Sequence, residues 1–110
     1  MSASENTHGL TNNQLAILKS VLQPFSKKIQ EVALFGSRAT GAYRPYSDID
    51  LVLYGEITER EVDRLRTLFL ESSLSLQVDL QLYEAIEHKL LKEHIDRVKK
   101  TLFTQTDLLL

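Results

Sequence analysis

The sequence predicts an α/β or α+β domain in which helices cover a small mixed sheet. Three observations support this fold class: apolar residues at helical spacing behind two capping signals, two short apolar runs on either side of a loop, and one segment with strict apolar–polar alternation. The predicted order is helix, strand, loop, strand, helix, strand and helix. A chain of 110 residues has the size of one domain and can fold without disulfides.

The first predicted helix follows a polar N-terminus, residues 1–10, which we expect to be flexible. Thr11 and Gln14 have the spacing of a capping box, in which each side chain binds the backbone N–H of the other residue. The helix is predicted to run to about Lys28, with a last turn that Pro24 bends or separates. Its apolar residues at helical spacing are Leu15, Leu18, Val21, Leu22 and Phe25.

Three strands are predicted in the middle of the chain. Residues 30–35 are largely β-branched or apolar and end at Gly36, which is typical of a buried strand. Residues 37–47 contain glycine and proline and predict a loop with at most one helical turn, and residues 49–54 predict the second strand. Residues 74–83 alternate between apolar and polar side chains, which predicts a half-buried strand with one polar face.

The remaining elements are two helices and an edge strand. Thr58, followed three positions later by a glutamate, repeats the capping-box pattern and predicts a helix behind it. A final amphipathic helix is predicted over residues 84–100, and the sequence TLFTQ after it predicts a short edge strand. We therefore expect one domain over residues 11–104 and a C-terminal tail over residues 105–110.

Composition and charge exclude several classes of protein. The chain has 43% hydrophobic residues and a net charge of −2, which argues against a general nucleic-acid-binding surface with its usual basic excess. The absence of cysteine excludes disulfides and thiolate zinc sites. No secretory signal pattern opens the sequence, and no apolar run approaches the roughly 20 residues that cross a bilayer. We therefore expect a cytoplasmic protein without a membrane segment.

Three aspartates lie on or beside predicted strands, where carboxylates are unfavourable. Asp48 and Asp50 are two positions apart and so point to the same face, roughly 7 Å apart along the strand. Asp79 lies in the middle of the third strand. Taken singly, Asp48 fits a turn and Asp79 fits a solvated sheet face. Three acids on consecutive strands fit a magnesium site, because hard divalent cations bind several oxygen ligands.

A Gly-Ser pair closes the first strand, with ten residues between it and the first of these aspartates. Gly36 lets a polyphosphate approach the backbone closely, and a helical turn that begins near Ser37 offers N–H groups to an anion. The Ser37 hydroxyl and the Arg38 guanidinium add further donors. Thr40 and Arg44 are secondary candidates because they lie in the same loop. A Gly-Ser pair without acids downstream would predict a plain turn.

These motifs resemble those of the nucleotidyltransferase superfamily that includes DNA polymerase β. The shared pattern is Gly-Ser, ten residues, Asp-Ile-Asp, and a later strand with Val-Asp-Leu. The stretch LFGSRATGAYRPYSDIDLVL is especially similar to the minimal nucleotidyltransferase (MNT) group, whose members are often paired with HEPN-domain proteins. The resemblance covers about residues 30–83. It implies a polymerase β-like nucleotidyltransferase fold.

The resemblance also implies roles for the site residues. Asp48 and Asp50 would hold magnesium, with two ions in the site. Asp79 would be a ligand of the ion on the side of the nucleophile and would accept the proton of the nucleophile. Residues 36–38, that is Gly36, Ser37 and Arg38, would contact the β- and γ-phosphates of ATP.

The reaction that the resemblance implies is transfer of AMP from ATP to a hydroxyl group. The acceptor would be a HEPN toxin, and this chain would be its antitoxin. Two alternatives remain open at the level of sequence. One is a non-catalytic subunit that binds and neutralises a HEPN partner and keeps the acids as relics. The other is nucleotidylation of a small molecule, which the absence of a second substrate domain disfavours.

A surface for the partner is expected near the C-terminus of the chain. The candidate residues on the final helix and edge strand are Leu90, His94, Leu102 and Phe103. The alternative is the leucine run at positions 108–110, because three exposed leucines are not needed by a finished core. A loose tail is equally consistent with that run.

Overall fold

A computed structural model describes residues 7–110 and shows a mixed sheet covered by helices. The sheet of this part of the chain consists of β1 (Ile29–Phe35), β2 (Ile49–Gly55), β3 (Val78–Leu82) and β4 (Lys100–Thr104), in the order β3-β2-β1-β4. β1 pairs antiparallel with β2 and with β4, whereas β2 pairs parallel with β3. The predicted small mixed sheet with a short edge strand is confirmed.

The helices of the described part are α1 (Asn12–Leu22), α2 (Ser37–Thr40), α3 (Glu59–Glu71), α4 (Lys89–Val98) and α5 (Gln105–Leu109). Thr11 caps α1 and Thr58 caps α3, each through the reciprocal hydrogen bonds of a capping box, as predicted. A separate 3₁₀ helix, Gln23–Lys28, follows α1 and has Pro24 in its first turn, where the missing N–H of proline is tolerated. No helix within residues 7–110 is long and apolar enough to cross a membrane.

One face of the sheet, here called the α3 face, carries the main apolar core. Leu34, Leu51 and Leu80 point to this face from neighbouring strands, and each is at most 1% exposed. The helical residues that pack against them are Leu18 and Leu22 of α1 and Val62, Leu65 and Phe69 of α3. Burial of these side chains is the main source of stability for the fold.

The opposite face, here called the α4 face, is more polar. Its apolar cluster consists of Ala33, Phe35, Val52 and, from α4, Ile95. Asp50 and Asp79 lie on this face, because they alternate along their strands with residues that point to the α3 face. At the other end of the same strands Tyr54 and Tyr83 stack with their ring centroids 4.8 Å apart.

The third strand is shorter than predicted. It begins at Val78, although the apolar–polar alternation starts at residue 74. Its only partner among the described residues is β2, which begins at Ile49, the register partner of Val78. Residues 74–77 therefore have no strand beside them. Leu74 and Leu76 still pack against the core from an irregular segment. The apolar–polar alternation of residues 74–77 therefore reflects burial of alternate side chains and not pairing with a neighbouring strand.

The last amphipathic helix is also shorter than predicted. A 3₁₀ turn, Tyr83–Ala85, follows β3 directly, and α4 begins only at Lys89. The reason is local, because His88 is the N-cap of α4 and its Nδ1 accepts a hydrogen bond from the Leu91 N–H at 3.1 Å. A capping side chain at this position ends the preceding irregular segment.

The folded unit extends beyond both predicted domain boundaries. Leu10 is 1% exposed and belongs to the core, while residues 1–6 of the predicted flexible segment lie outside the described residues. At the other end, Thr104 and Asp107 form a capping box, whose spacing of three positions the prediction of a tail overlooked. The helix behind it, α5, buries Leu108 to 1% exposure. The predicted C-terminal tail is therefore corrected to a helix that packs on the core.

Candidate active site

The parallel pairing of β2 and β3 brings Asp50 and Asp79 side by side. The two residues are register partners, and neighbouring strands lie about 4.8 Å apart. Both side chains point to the α4 face, since Leu51 and Leu80 next to them point to the α3 face. The acids of the second and third strands thus share one face, as the predicted magnesium site requires.

The carboxyl group of Asp50 has an unusual electrostatic environment. Its pKa is raised from 3.8 to about 6, first by partial burial and then by the negative charges of Asp79 and Asp48. The positive charge of Arg38 acts in the opposite direction. Like charges are therefore held together here against their mutual repulsion, which is characteristic of functional sites.

Asp48 joins the acids from the loop before β2. It is exposed and follows a closed turn, in which the Ser47 N–H donates to the Arg44 carbonyl at 3.0 Å. Ser47 Oγ accepts a hydrogen bond from the Arg44 N–H at 2.8 Å. The position of the Asp48 carboxylate therefore depends on the geometry of this loop as well as on β2.

Gly36 connects the Gly-Ser turn to the acids. Its backbone has φ 68° and ψ −151°, a conformation that only glycine adopts readily. A Cβ atom at this position would lie 2.2 Å from Oδ2 of Asp50, so the carboxylate occupies the space that a side chain would need. The turn opens α2, where the Thr40 N–H donates to the Gly36 carbonyl at 3.1 Å. Ser37 is the first residue of α2 and is partly exposed beside this contact.

The structure places the Arg38 side chain in the interior of the protein. The guanidinium is 1% exposed and donates hydrogen bonds to main-chain carbonyls, among them those of His8 at 2.8 Å and Ser47 at 3.0 Å. Because its N–H groups point into the protein, the guanidinium is not presented to a phosphate. The sequence could not reveal this, since the acceptors include a carbonyl 30 positions away.

The secondary candidates Thr40 and Arg44 lie on the exposed side of the loop. Thr40 Oγ1 donates to the Ser37 carbonyl at 3.3 Å. The Arg44 side chain is exposed, and its main-chain carbonyl is a further acceptor for Arg38 at 3.4 Å. Arg44 thus remains available to a ligand, whereas the Thr40 hydroxyl already has an acceptor.

One residue near the acids, His94, was predicted from the sequence as part of a partner surface and not as part of the site. His94 of α4 packs edge-on against Phe35, with ring centroids 6.4 Å apart, and Phe35 is the register partner of Asp50. His94 therefore flanks the same end of the α4 face as the acids. No sequence signal indicates this, because the crossing of α4 over the sheet is a tertiary feature.

The predicted partner surface is split by the fold. Leu90 on α4 is 69% exposed, and Leu109 and Leu110 after the buried Leu108 are exposed as well. Leu102 and Phe103 of β4 instead pack partly against the core. Leu90 of the first predicted surface and Leu109 and Leu110 of the alternative surface are therefore the leucines of these two sets that are most exposed to a partner.

The donor set is compatible with a hard divalent cation. Within residues 7–110 no group of three or more His, Cys, Asp or Glu side chains stands ready to enclose a metal ion. Magnesium does not require such a cage, because it is usually held by one or two carboxylates together with substrate phosphates and water. Asp50 and Asp79 supply that pair of carboxylates, and the raised pKa of Asp50 shows the repulsion that a cation would relieve.

Comparison with known proteins gives a family match over most of the chain. Residues 16–103 match the family described as nucleotidyltransferase domain. A probable protein adenylyltransferase, MntA, of Haemophilus influenzae is 38% identical over 73 residues, which are 64% of this chain and 63% of that protein. The chain thus matches slightly less than two thirds of the length of this relative.

Several solved structures share the fold. A toxin–antitoxin complex with AMP-PNP has a TM-score of 0.66 at 24% identity, over 90% of this chain and 78% of the other. The complex of a tri-AMPylated Shewanella oneidensis HEPN toxin with its MNT antitoxin has a TM-score of 0.64 at 23% identity, over 89% and 76%. A nucleotidyltransferase-like protein of Sulfolobus solfataricus reaches 0.55 at 20% identity, over 96% and 90%.

The match over residues 16–103 contains the Gly-Ser turn and all three aspartates, and the neighbours have the predicted polymerase β-like arrangement of sheet and helices. The chain therefore belongs to the nucleotidyltransferase domain family.

Proposed function

We propose that this protein transfers AMP from ATP to a hydroxyl group of a HEPN-domain partner, with magnesium as cofactor, and acts as the antitoxin of that partner in the cytoplasm. The observation that supports this most directly is that Asp50 is the register partner of Asp79 and that its carboxylate lies in the space a Gly36 side chain would need. This arrangement supports a site in which the Gly-Ser turn would bind the polyphosphate beside a pair of carboxylates.

The chemistry is an in-line displacement at the α-phosphorus of ATP. The acceptor oxygen forms a new bond to the α-phosphorus, and the bond from that phosphorus to the bridging oxygen breaks, so that pyrophosphate leaves with the bonding electrons. The proton of the acceptor hydroxyl goes to the carboxylate of Asp79. Such reactions depend mainly on positioning and on neutralisation of charge.

The metal-binding residues of the proposal are Asp48, Asp50 and Asp79. When bound, magnesium neutralises charge on the phosphates and makes the acceptor hydroxyl more acidic. Gly36 and Ser37 form the phosphate-binding turn through their backbone and the Ser37 hydroxyl. Arg38 contributes its backbone only, since its side chain is directed into the protein.

The partner is proposed from the relatives. The Haemophilus influenzae protein is named a probable protein adenylyltransferase, and the structural neighbours include an MNT antitoxin in complex with a tri-AMPylated HEPN toxin. A protein acceptor also agrees with the open site, because Asp48 and Asp79 are both exposed and no second domain of the described chain covers them.

The proposal is tested by incubating this protein with MgATP and the HEPN-domain protein encoded in the same genome. Label from [α-³²P]ATP but not from [γ-³²P]ATP should appear on the HEPN protein, and mass spectrometry should place adenylate on a hydroxyl side chain. Asp48→Ala combined with Asp50→Ala should abolish the label. Assembly of the two proteins, measured by gel filtration, should persist in this double variant.

Two results would contradict the proposal in different ways. Equal labelling by the double variant would remove the acids from the reaction. Full neutralisation of the toxin by the double variant, with no label on the toxin, would instead show that binding alone is the biological role.

A further inference from the structure

One buried charged side chain, that of Arg38, connects the Gly36–Ser37 turn of the proposed site to the loop that leads to Asp48. Among residues 7–110 the buried polar or charged side chains are Ser26 and Arg38, and Arg38 is 1% exposed. Burial of a cation is unfavourable unless its surroundings compensate it, and an apolar side chain of similar volume would often be as stable. The presence of a guanidinium here therefore calls for an explanation beyond packing.

The guanidinium of Arg38 binds the loop that leads to Asp48. Its Nη2 donates to the Ser47 carbonyl at 3.0 Å, and its Nε donates to the same oxygen at 3.3 Å. Nη2 also lies 3.4 Å from the carbonyls of Arg44 and Pro45. One planar group thus gathers three carbonyls of one loop, which the single ammonium of a lysine does not reproduce.

The segment around His8 and Gly9 packs against the same guanidinium from another side. Nη1 of Arg38 donates to the His8 carbonyl at 2.8 Å, and the guanidinium carbon lies 5.1 Å from the centroid of the Tyr43 ring. Gly9 packs so closely that a Cβ atom there would lie 2.2 Å from the Tyr43 ring and 3.0 Å from Nη1. The cation is therefore held from several sides, and its position is well determined.

The position of Arg38 in the chain makes this arrangement relevant to the site. Arg38 is the second residue of α2 and directly follows the Gly36–Ser37 turn. The carbonyl that it binds at the shortest distance within the loop belongs to Ser47, the residue before Asp48. The side chain therefore joins the proposed phosphate-binding turn to the residue that leads into the first acid.

We propose that Arg38 is a positioning residue, whose buried guanidinium sets the Asp48 carboxylate relative to the phosphate-binding turn. This inference rests on the proposed function of the acids as metal ligands. In this proposal Arg38 acts through the Ser47 carbonyl, because its N–H groups are directed to main-chain carbonyls. Displacement of a reacting group by about 1 Å can reduce a rate about 100-fold, so a loop held by one side chain can control the activity.

The test compares Arg38→Lys with two controls. Arg64→Lys makes the same substitution at an exposed position of α3, and Val62→Ala destabilises the protein by removing a buried side chain of α3 from the core. The first readout is the affinity for Mn²⁺ in the presence of a non-hydrolysable α,β-methylene ATP analogue, measured by electron paramagnetic resonance. All proteins are compared at a temperature at which denaturation curves show them to be folded.

We expect Arg38→Lys to weaken Mn²⁺ binding about 10-fold, while both controls stay within about twofold of the wild type. In the transfer assay kcat should fall about 100-fold, and KM for ATP should change less than about threefold, because the backbone of the turn remains. Guanidinium ions at low millimolar concentration should partly restore Mn²⁺ affinity to Arg38→Ala and leave Val62→Ala unchanged.

Unchanged Mn²⁺ affinity in Arg38→Lys, or an equal loss in Val62→Ala, would overturn the inference and leave Arg38 as a residue of stability only. If Arg38→Lys does not fold, Ser47→Ala takes its place, because it removes the hydrogen bond from the Arg44 N–H that closes the same loop. This variant should weaken Mn²⁺ binding about threefold, and wild-type affinity would overturn the inference. A wild type that binds Mn²⁺ and the analogue but transfers no AMP would contradict the proposed function alone.

Discussion

The two faces of the sheet are built from the same strands and serve different purposes. On the α3 face, the strands contribute apolar side chains to one large core. On the α4 face, the same strands place Asp50 and Asp79 at one end and the stacked Tyr54 and Tyr83 at the other. The apolar core on the α3 face supplies most of the stability of the fold. The α4 face can therefore hold aspartates whose negative charges repel each other.

The largest expected effect is the loss of a core side chain next to the acids. Leu51 is 0% exposed on the α3 face and directly follows Asp50. Leu51→Ala should lower the free energy of unfolding by about 3 kcal/mol, because it removes buried methyl groups and leaves a cavity. Urea denaturation measures this, with Leu70→Ala as a control on an exposed leucine. An effect below about 1 kcal/mol would mean that the α3 face does not dominate stability.

The next effect concerns the contact between the Gly-Ser turn and the α4 face. Gly36→Ala should cost about 2 kcal/mol, since it combines an unfavourable backbone conformation with a collision against the Asp50 carboxylate. Gly41→Ala is the matched control. Gly41 has φ 91°, but a Cβ atom added there would meet nothing within 4 Å, so only the backbone contribution of about 1 kcal/mol remains.

A double-mutant cycle isolates the collision. Gly36→Ala should be less destabilising in an Asp50→Ala background, with a coupling of about 1 kcal/mol. Additivity of the two substitutions within about 0.3 kcal/mol would show that the turn does not press on the carboxylate.

Removal of the negative charge of Asp50 is expected to have a smaller effect of opposite sign, an increase in the free energy of unfolding. Because the pKa of Asp50 is raised to about 6 in the folded protein, the folded state binds its proton more tightly than the unfolded state. Stability from this group is fully present below about pH 4 and is lost as the pH rises to about 6. Asp50→Asn should therefore stabilise the metal-free protein at pH 7 by about 1 kcal/mol, a figure reduced because the carboxyl is only partly buried and solvent screens its charge.

The pH dependence provides the measurement for Asp50→Asn. Urea denaturation at pH 4 should show equal stability of wild type and variant, and the difference should grow between pH 4 and pH 6. Glu71→Gln on an exposed position of α3 should show no such growth. Destabilisation by Asp50→Asn at pH 7 would instead give Asp50 a structural role.

The smallest effect is expected for another carboxylate of the α4 face. Partial burial by itself raises the pKa of Glu31, but hydrogen bonds from Thr101 and Lys99 outweigh it and hold the pKa below its ordinary value of 4.5. Stability from Glu31 is therefore present above about pH 4.5 and is lost as the pH falls through the lower pKa of the folded state. Glu31→Gln should cost about 0.5 kcal/mol at pH 7, because the ion pair with Lys99 is only partly buried and solvent screens it.

Glu31 and Asp50 thus have opposite pH profiles on one face. Denaturation of Glu31→Gln between pH 3 and pH 7 should show a difference from wild type that disappears at the acidic end. A profile of the same sign as that of Asp50→Asn would contradict the assignment of a compensated charge to Glu31.

Local signals in the sequence predicted much of this architecture. The capping boxes at Thr11 and Thr58 involve residues three positions apart, so that helix starts can be found without knowledge of the fold. The alternation along each strand separates Asp50 and Asp79 from the apolar residues next to them by strand geometry alone. The parallel register that makes them neighbours is a property of the sheet, and the sequence indicated it only through its resemblance to a known family.

Other predictions failed where a distant partner decides the outcome. Residues 74–77 have the pattern of a strand but lie where β2 offers no edge for pairing. The C-terminal residues become α5 because Leu108 finds a place in the core, and the side chain of Gln23 donates to the Leu108 carbonyl at 3.1 Å. Periodicity describes which side chains can be buried together, and it does not show whether a neighbouring element is present.

By itself, the sequence determined the class of fold, the two-residue spacing of Asp48 and Asp50 and the Gly-Ser turn before them, because these follow from spacings of a few residues. Only the tertiary structure decided what Arg38 does. A guanidinium beside the proposed phosphate-binding turn is expected to face the ligand, yet here carbonyls from residue 8 and from residues 44–47 surround it. Buried cations require acceptors on several sides, and those acceptors are supplied by segments that meet only when the chain has folded.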